Sequence, residues 1–273
     1  AQFHTTIPLL FEPNLMEVVP LFSKIYGDGR PLIILHGLFG MGDNWTTHAK
    51  IIASNGWQVH AVDQRNHGRS PHHEVHNYDA LAADLEKYID HHNLENVVLL
   101  GHSMGGKTVM NFAVRNPKLI DAIIVVDIAP KAYPIHHDAY IEAMKSVDFN
   151  TAKSRKDVEA VLSKTLSNPG IIQFFMKSLY WKTKEELSWR FNLRGLESEL
   201  PHVGDALEFG YYDGPTLFVA GGMSGYIEER DEANIHEHFP NATVQKIDSA
   251  GHWVHAEARE AFATCIADFL ATL

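Results

Sequence analysis

Four consecutive apolar residues, Val97, Val98, Leu99 and Leu100, run straight into Gly101-His102-Ser103-Met104-Gly105, and a helix-compatible stretch from Lys107 to Val114 follows at once. This order demands a buried strand, a very tight turn and a helix packed back onto the strand. Gly101 and Gly105 are needed because a Cβ at either place would collide with the neighbouring strand or helix. The turn lifts the Ser103 hydroxyl clear of the strand end, where a base and a substrate carbonyl can reach it. Met104, just after it, offers a backbone N–H at the start of a helix to any negative charge developing nearby.

The rest of the chain repeats the strand–helix rhythm. Apolar runs at Pro31–Leu35, Trp57–Val62, Ala122–Val126, Thr216–Ala220 and Ala242–Ile247 each end in Gly, Asp or His-Gly, with helix candidates near 78–92, 105–115, 229–238 and 256–271. Alternation of this kind predicts an α/β fold, a mostly parallel sheet covered by helices on both faces. Ligands bind such sheets beyond the carboxyl ends of the strands. His36, Asp63, Ser103, Asp127, Ser224 and His252 all fall at or just after those ends.

Residues 131–210 break the rhythm. They contain no apolar run of strand type but several helix-like stretches: Tyr140–Met144, Val158–Leu166, Ile171–Tyr180 and Lys184–Phe191, punctuated by Pro169-Gly170 and Pro201. They also carry 11 Lys+Arg against 11 Asp+Glu, leaving 12 against 23 in the remainder of a chain whose net charge is −11. The expected organisation is a core domain of residues 1–130 and 211–273, with 131–210 as a helical cap inserted between two strands. An acidic chain without a basic run does not suit nucleic acid or an anionic membrane surface, and no segment is long and apolar enough for a transmembrane span. One cysteine, Cys265, allows no internal disulfide, and Ala1-Gln2-Phe3-His4 does not open a secretory leader, so a cytoplasmic location is expected.

Ser103 is the candidate nucleophile. His252, in the loop opened by Ser249-Ala250-Gly251 after the final strand, is the candidate general base: it follows every acid candidate, and the order serine, acid, histidine suits this topology. Among the 18 histidines its local competitor is His255, expected to cap or pack at a helix start. The acid is open from the residues alone. Asp127 ends the strand after the Ser103 helix, whereas Glu228 and Asp231 follow the later strand Thr216–Ala220, whose end carries Gly221-Gly222-Met223-Ser224 and no immediate carboxylate. One oxyanion donor should be the Met104 N–H and the other should come from the loop His36-Gly37-Leu38-Phe39-Gly40. The polar run Asp63–Ser70, with Arg65 and His67, is expected to brace that loop through hydrogen bonds rather than to enter the chemistry. His72-His73-Glu74-Val75-His76 departs from H-E-x-x-H and is read as a His-rich loop rather than a metal site; His91-His92 and His136-His137 are read the same way. The aromatic and apolar residues Phe174, Phe175, Met176, Leu179, Tyr180 and Trp181 must divide between the core of 131–210 and a pocket wall.

Together, His36–Gly40, Asp63–Ser70, Gly101–Lys107, Val126–Pro130 and Ala250–His255 resemble the α/β-hydrolases, and more narrowly the bacterial YbfF-type esterases and their mitochondrial abhydrolase relatives. The likeness runs from about residue 20 nearly to the end. It implies an eight-stranded-type α/β-hydrolase sheet with a helical cap, and an esterase or thioesterase acting on acyl substrates without metal or organic cofactor. It also implies that Asp127 supplies the acid, that Ser224 joins its hydrogen-bond network, and that Leu38 N–H is the second oxyanion donor. The expected function is a serine carboxylesterase for short- to medium-chain acyl esters. Acyl-CoA thioesterase is the alternative within enzymes, although a −11 chain exerts no long-range attraction on polyanionic CoA. A ligand receptor that uses the fold without the chemistry is the alternative outside them. The partner is a small acyl ester or thioester, and the oligomeric state is left open.

Overall fold

The computed structural model describes residues 17–273; Ala1 to His4, where the leader reading was made, lie outside them. In chain order the strands are β1 (Ser23–Tyr26), β2 (Arg30–Leu35), β3 (Trp57–Val62), β4 (Val97–His102), β5 (Ile120–Val126), β6 (Leu179–Trp181), β7 (Leu187–Trp189), β8 (Thr216–Gly221) and β9 (Ala242–Ile247). The helices are α1 (Thr46–Ala53), α2 (Tyr78–His91), α3 (Met104–Arg115), α4 (Asp138–Lys145), α5 (Arg155–Leu162), α6 (Pro169–Lys177), α7 (Leu193–Val203), α8 (Glu232–His238), α9 (Val254–Glu257) and α10 (Arg259–Leu270).

Seven strands form one sheet in the order β1-β3-β2-β4-β5-β8-β9, parallel throughout except for β1, which runs antiparallel to β3. Where an eight-stranded type was expected, the sheet has seven strands among the described residues. The central strands carry long apolar runs because both faces are covered: Leu32–Leu35, Val97–Leu100 and Ala122–Val126 are buried throughout. Ile33, Leu35, Leu99 and Val125 face one helical layer with α2 and α3, while Leu32, Ile34, Leu100 and Val126 face the other with α1 and α10. The registers Leu35↔Gly101 and His102↔Val126 bring the ends of β2, β4 and β5 level, so their exit loops share one rim.

Residues 131–210 build a separate apolar cluster from Ile141, Val158, Phe175, Leu187 and Leu196, which reaches the sheet domain through Phe39. Several expectations for this stretch are corrected. Lys184–Phe191 is not helical: Leu187–Trp189 pairs antiparallel with Leu179–Trp181, and Ile171–Tyr180 is helical only as far as Lys177. The Thr183 hydroxyl accepts the Glu185 and Glu186 N–H groups, closing a turn that the helix-like composition concealed. Pro201 lies inside α7, a helix the sequence pattern did not mark, because Leu196 and Leu200 bury one face of it. Pro169 also begins α6 rather than ending an element, with the Asn168 side chain accepting the Gly170 and Ile171 N–H groups.

Candidate active site

Ser103 sits between β4 and α3 at φ 53°, ψ −117°, a left-handed conformation that a β-carbon-bearing residue adopts only under local constraint. Its N–H donates to the Val126 carbonyl at 3.0 Å, which pins the turn to β5. A Cβ at Gly105 would overlap the Leu35 and His36 carbonyls, and one at Gly101 would overlap the Gly105 backbone. Both glycines are thus required by close backbone approach between α3, β4 and β2.

His252 faces the serine. Its Nε2 lies 3.0 Å from Ser103 Oγ and its Nδ1 lies 2.7 Å from Asp127 Oδ2. A carboxylate only accepts, so Nδ1 carries the proton and the Nε2 lone pair is turned to the serine hydroxyl. Asp127 is fully buried and also has positive φ, at 51°. Its Oδ1 accepts the Gly221 N–H at 2.8 Å and the Ser224 hydroxyl at 2.9 Å. Three donors therefore compensate one buried carboxylate, as desolvation requires. The competing acids point elsewhere. Asp231 pairs with Lys131 at 2.8 Å and accepts the Glu228 N–H, and Glu228 pairs with Arg230 at 2.5 Å.

On the other side of Ser103, Phe39 N–H donates to His67 Nε2 at 3.0 Å and Gly40 N–H to the Gly37 carbonyl, while the Leu38 N–H takes no partner among the described residues. The Met104 N–H stands at the first position of α3, whose end has no side-chain cap. The loop is held by neutral histidines. His36 donates from Nδ1 to the Gly37 carbonyl and accepts the Gln64 N–H on Nε2; His67 donates from Nδ1 to the Arg65 carbonyl. Burial lowers the pKa of both, which keeps these acceptor nitrogens free of protons. Arg65 forms a fully buried bidentate pair with Asp84 at 2.6 and 2.9 Å, and Asp63 accepts the Gly42 and Arg69 N–H groups. The bracing expected of Asp63–Ser70 is what these bonds provide.

A cavity of about 210 Å³ opens on Ser103 and His252, with Leu38, Trp45, Tyr140, Phe174, Phe175 and Trp253 in its wall. Met176 and Leu179 instead fill the core of 131–210, and Trp181 is half exposed. His102 and His255, also in the wall, are driven neutral by burial, His102 to about 3. His102 Nε2 donates to the His252 carbonyl at 2.8 Å, and His255 stacks on Trp45 with centroids 3.9 Å apart. His255 thus packs, as expected from its place at a helix start. The His72–His76 imidazoles disperse to separate partners: His72 to the Arg190 carbonyl, His73 towards Glu17 and His76 to Met104 Sδ. Sequence reasoning did not single out Trp45, Tyr140, Tyr226 or Trp253. The only signal for Tyr226 was its place two residues after Ser224.

The family described as the alpha/beta hydrolase fold matches residues 30–258. The chain belongs to the α/β-hydrolase family. Within it, the chain is similar to sn-1-specific diacylglycerol lipase ABHD11 of Danio rerio (38% identity, covering 89% of this chain and 79% of that one). It is likewise similar to Esterase YbfF of Escherichia coli K12 (36% identity, covering 89% and 94%). Among solved structures, a marine microorganism esterase superposes with a TM-score of 0.89 at 38% identity, covering 92% of this chain and 99% of that one. As an α/β-hydrolase this protein is of the esterase/lipase type.

Proposed function

We propose that this α/β-hydrolase is a serine carboxylesterase for short- to medium-chain acyl esters, with Ser103 as nucleophile, His252 as general base and Asp127 as the acid that orients it. The observation that carries this reading is the unbroken row Ser103 Oγ, His252 Nε2, His252 Nδ1, Asp127 Oδ2, with links of 3.0 and 2.7 Å at the mouth of an apolar-walled cavity. The names of the relatives, an esterase and a diacylglycerol lipase, support ester substrates.

In this mechanism His252 Nε2 takes the Ser103 proton as Oγ bonds to the ester carbonyl carbon. The carbonyl oxygen becomes an oxyanion held by the Leu38 and Met104 N–H groups. Collapse of the tetrahedral adduct breaks the bond to the alkoxide, which leaves as the alcohol with the proton from His252. Water then attacks the acyl-Ser103 ester by the same two steps in reverse, releasing the carboxylic acid. Asp127 stays ionised, holds the Nδ1–H tautomer and stabilises the imidazolium, while Ser224 and Gly221 N–H fix its rotamer. Every step uses side chains, backbone amides and water. We further propose that residues 131–210 act as the cap, since Tyr140, Phe174 and Phe175 close the cavity from that side.

The test is turnover of p-nitrophenyl acetate and butyrate, and labelling by a fluorophosphonate probe, for the wild type and Ser103→Ala. The variant should retain only about 10⁻³ or less of wild-type kcat and take no label. Full activity in the variant would overturn the mechanism, and absence of labelling in folded wild type would favour a receptor. Matched thioesters in the same assay decide between esterase and acyl-CoA thioesterase.

A further inference from the structure

The His252 imidazole is held by more than its two in-plane hydrogen bonds. Tyr226 lies flat against it, with ring centroids 3.9 Å apart and planes inclined by 19°. Tyr226 is itself fixed at every polar atom. Its N–H donates to Ser224 Oγ at 3.2 Å, the same hydroxyl that donates to Asp127, and its carbonyl accepts the Tyr133 hydroxyl at 2.6 Å. Its own hydroxyl lies 3.1 Å from His136 Nε2; the His136 Nδ1 proton is directed at the Pro134 carbonyl, so the phenol donates to Nε2. The Tyr133 ring stacks next in line, with centroids 5.4 Å apart and a 28° tilt. Lys107 and Lys131 lie over the Tyr133 ring at 5.3 and 5.2 Å. Tyr133 and His136 lie at the start of 131–210, so Tyr226 is the contact between that segment and the imidazole.

We infer that Tyr226 is a positioning residue for His252, its ring face fixing the tilt of the imidazole between Ser103 and Asp127 and stabilising the cation that forms as the serine proton transfers. The inference rests on the proposed role of His252 as general base. An imidazole held only by two in-plane hydrogen bonds can still tip out of the plane that contains Ser103 Oγ and Asp127 Oδ2, and such tipping turns the Nε2 lone pair away from Oγ. A stacked neighbour removes the freedom, and a π face gains attraction as the imidazole becomes charged. The other titratable groups around His252 do not perform this task. Asp127 engages Nδ1 through a hydrogen bond, and His102 meets the ring tilted by 42° at 4.8 Å rather than stacked; His102, His137 and His255 are held neutral by burial, the first two at about 3 and about 4. Tyr226 is neutral as well, its phenol pushed up to about 12.

The experiment compares Tyr226→Phe, Tyr226→Leu and Tyr226→Met with wild type in p-nitrophenyl butyrate turnover, with Ser103→Ala and His252→Ala alongside. Tyr226→Phe keeps the ring and should hold kcat within about threefold, whereas the Leu and Met variants should lose about 10- to 100-fold in kcat with KM moved less than about threefold, the scale expected for a misaligned catalytic group. Melting temperatures show which variants are folded, and the Met variant serves if the Leu variant is not. A Leu or Met variant with wild-type kcat, or a Phe variant as impaired as Leu, would overturn the stacking role. Either result leaves the esterase reading standing so long as Ser103→Ala and His252→Ala are inactive. Activity in those two would overturn the reading itself.

Discussion

Replacing Asp127 by Asn is the sharpest perturbation this site allows, because volume and shape are kept while one acceptor atom becomes a donor. At Oδ1 the wild-type carboxylate receives two donors, the Gly221 N–H at 2.8 Å and the Ser224 hydroxyl at 2.9 Å. At Oδ2 it receives His252 Nδ1 at 2.7 Å. An Asn carbonyl must therefore occupy the Oδ1 position, since an amide NH₂ there would face the Gly221 N–H in a fully buried site. That choice turns the NH₂ towards His252 Nδ1, which must then give up its proton and accept. The proton moves to Nε2, the atom 3.0 Å from Ser103 Oγ, and the imidazole can no longer act as base. The wrong tautomer costs about 10⁴-fold in kcat in serine triads, about 5 kcal/mol of barrier at 1.36 kcal/mol per decade. Steady-state turnover of p-nitrophenyl butyrate is the assay, with a melting curve to show that the Gly221 and Ser224 bonds still hold the fold. A kcat within about tenfold of wild type would refute the reasoning. So would a larger loss in Glu228→Gln or Asp231→Asn, whose carboxylates are committed to Arg230 and Lys131.

Two further outcomes follow from the buried polar groups. His36, His67 and His255 have pKa values lowered by burial, and His60, His76, His102 and His137 are held at about 4, 3, 3 and 4. The unfolded chain binds protons at these positions near pH 6.5 and the native state does not, so their contribution is complete above that pH and is lost as pH falls towards the native values. Each such histidine removes about 1.4 kcal/mol per pH unit in that window, so urea unfolding should show stability falling by several kcal/mol between pH 6.5 and 5; a flat profile there would contradict the neutral-histidine account of the loop. Asp84→Ala strands the Arg65 guanidinium, whose side chain is 0% exposed, and should cost about 3–5 kcal/mol in urea unfolding at neutral pH. A loss under about 1 kcal/mol would show that Arg65 finds other compensation.

Six of the seven strands in the α/β sheet were legible because local and global preferences agree there; β1, four residues without a buried position, was not. Strands buried on both faces carry nearly continuous apolar runs, as Val97–Leu100 and Ala122–Val126 do; Trp57–Val62, and the edge strand Ala242–Ile247 with its exposed Thr243, Gln245 and Lys246, also matched observed strands to the residue. Agreement failed within 131–210. There Leu187–Trp189 is held in a hairpin by turn contacts of Thr183, and α7 carries Pro201 in its last turn while burying Leu196 and Leu200. Short elements owe their conformation to what they pack against, and hydrophobic periodicity over so few residues cannot separate helix from strand.

At the site, the sequence by itself determined the chemistry available: a serine on an elbow whose glycines admit no Cβ, and a histidine after the last strand. Which carboxylate meets that histidine was beyond it, because Asp127, Glu228 and Asp231 all follow strand ends and chain order does not measure distance. The tertiary structure decided by register. With β5 beside β4 and β8 beside β5, the Asp127 carboxylate comes within 2.7 Å of His252, and Gly221 and Ser224 from the end of β8 supply its compensating donors. Tyr226 against the imidazole and His102 beneath its carbonyl are products of the same convergence of loops distant in the chain. Such contacts arise only when the sheet sets its carboxyl ends level, and no local pattern of residues encodes them.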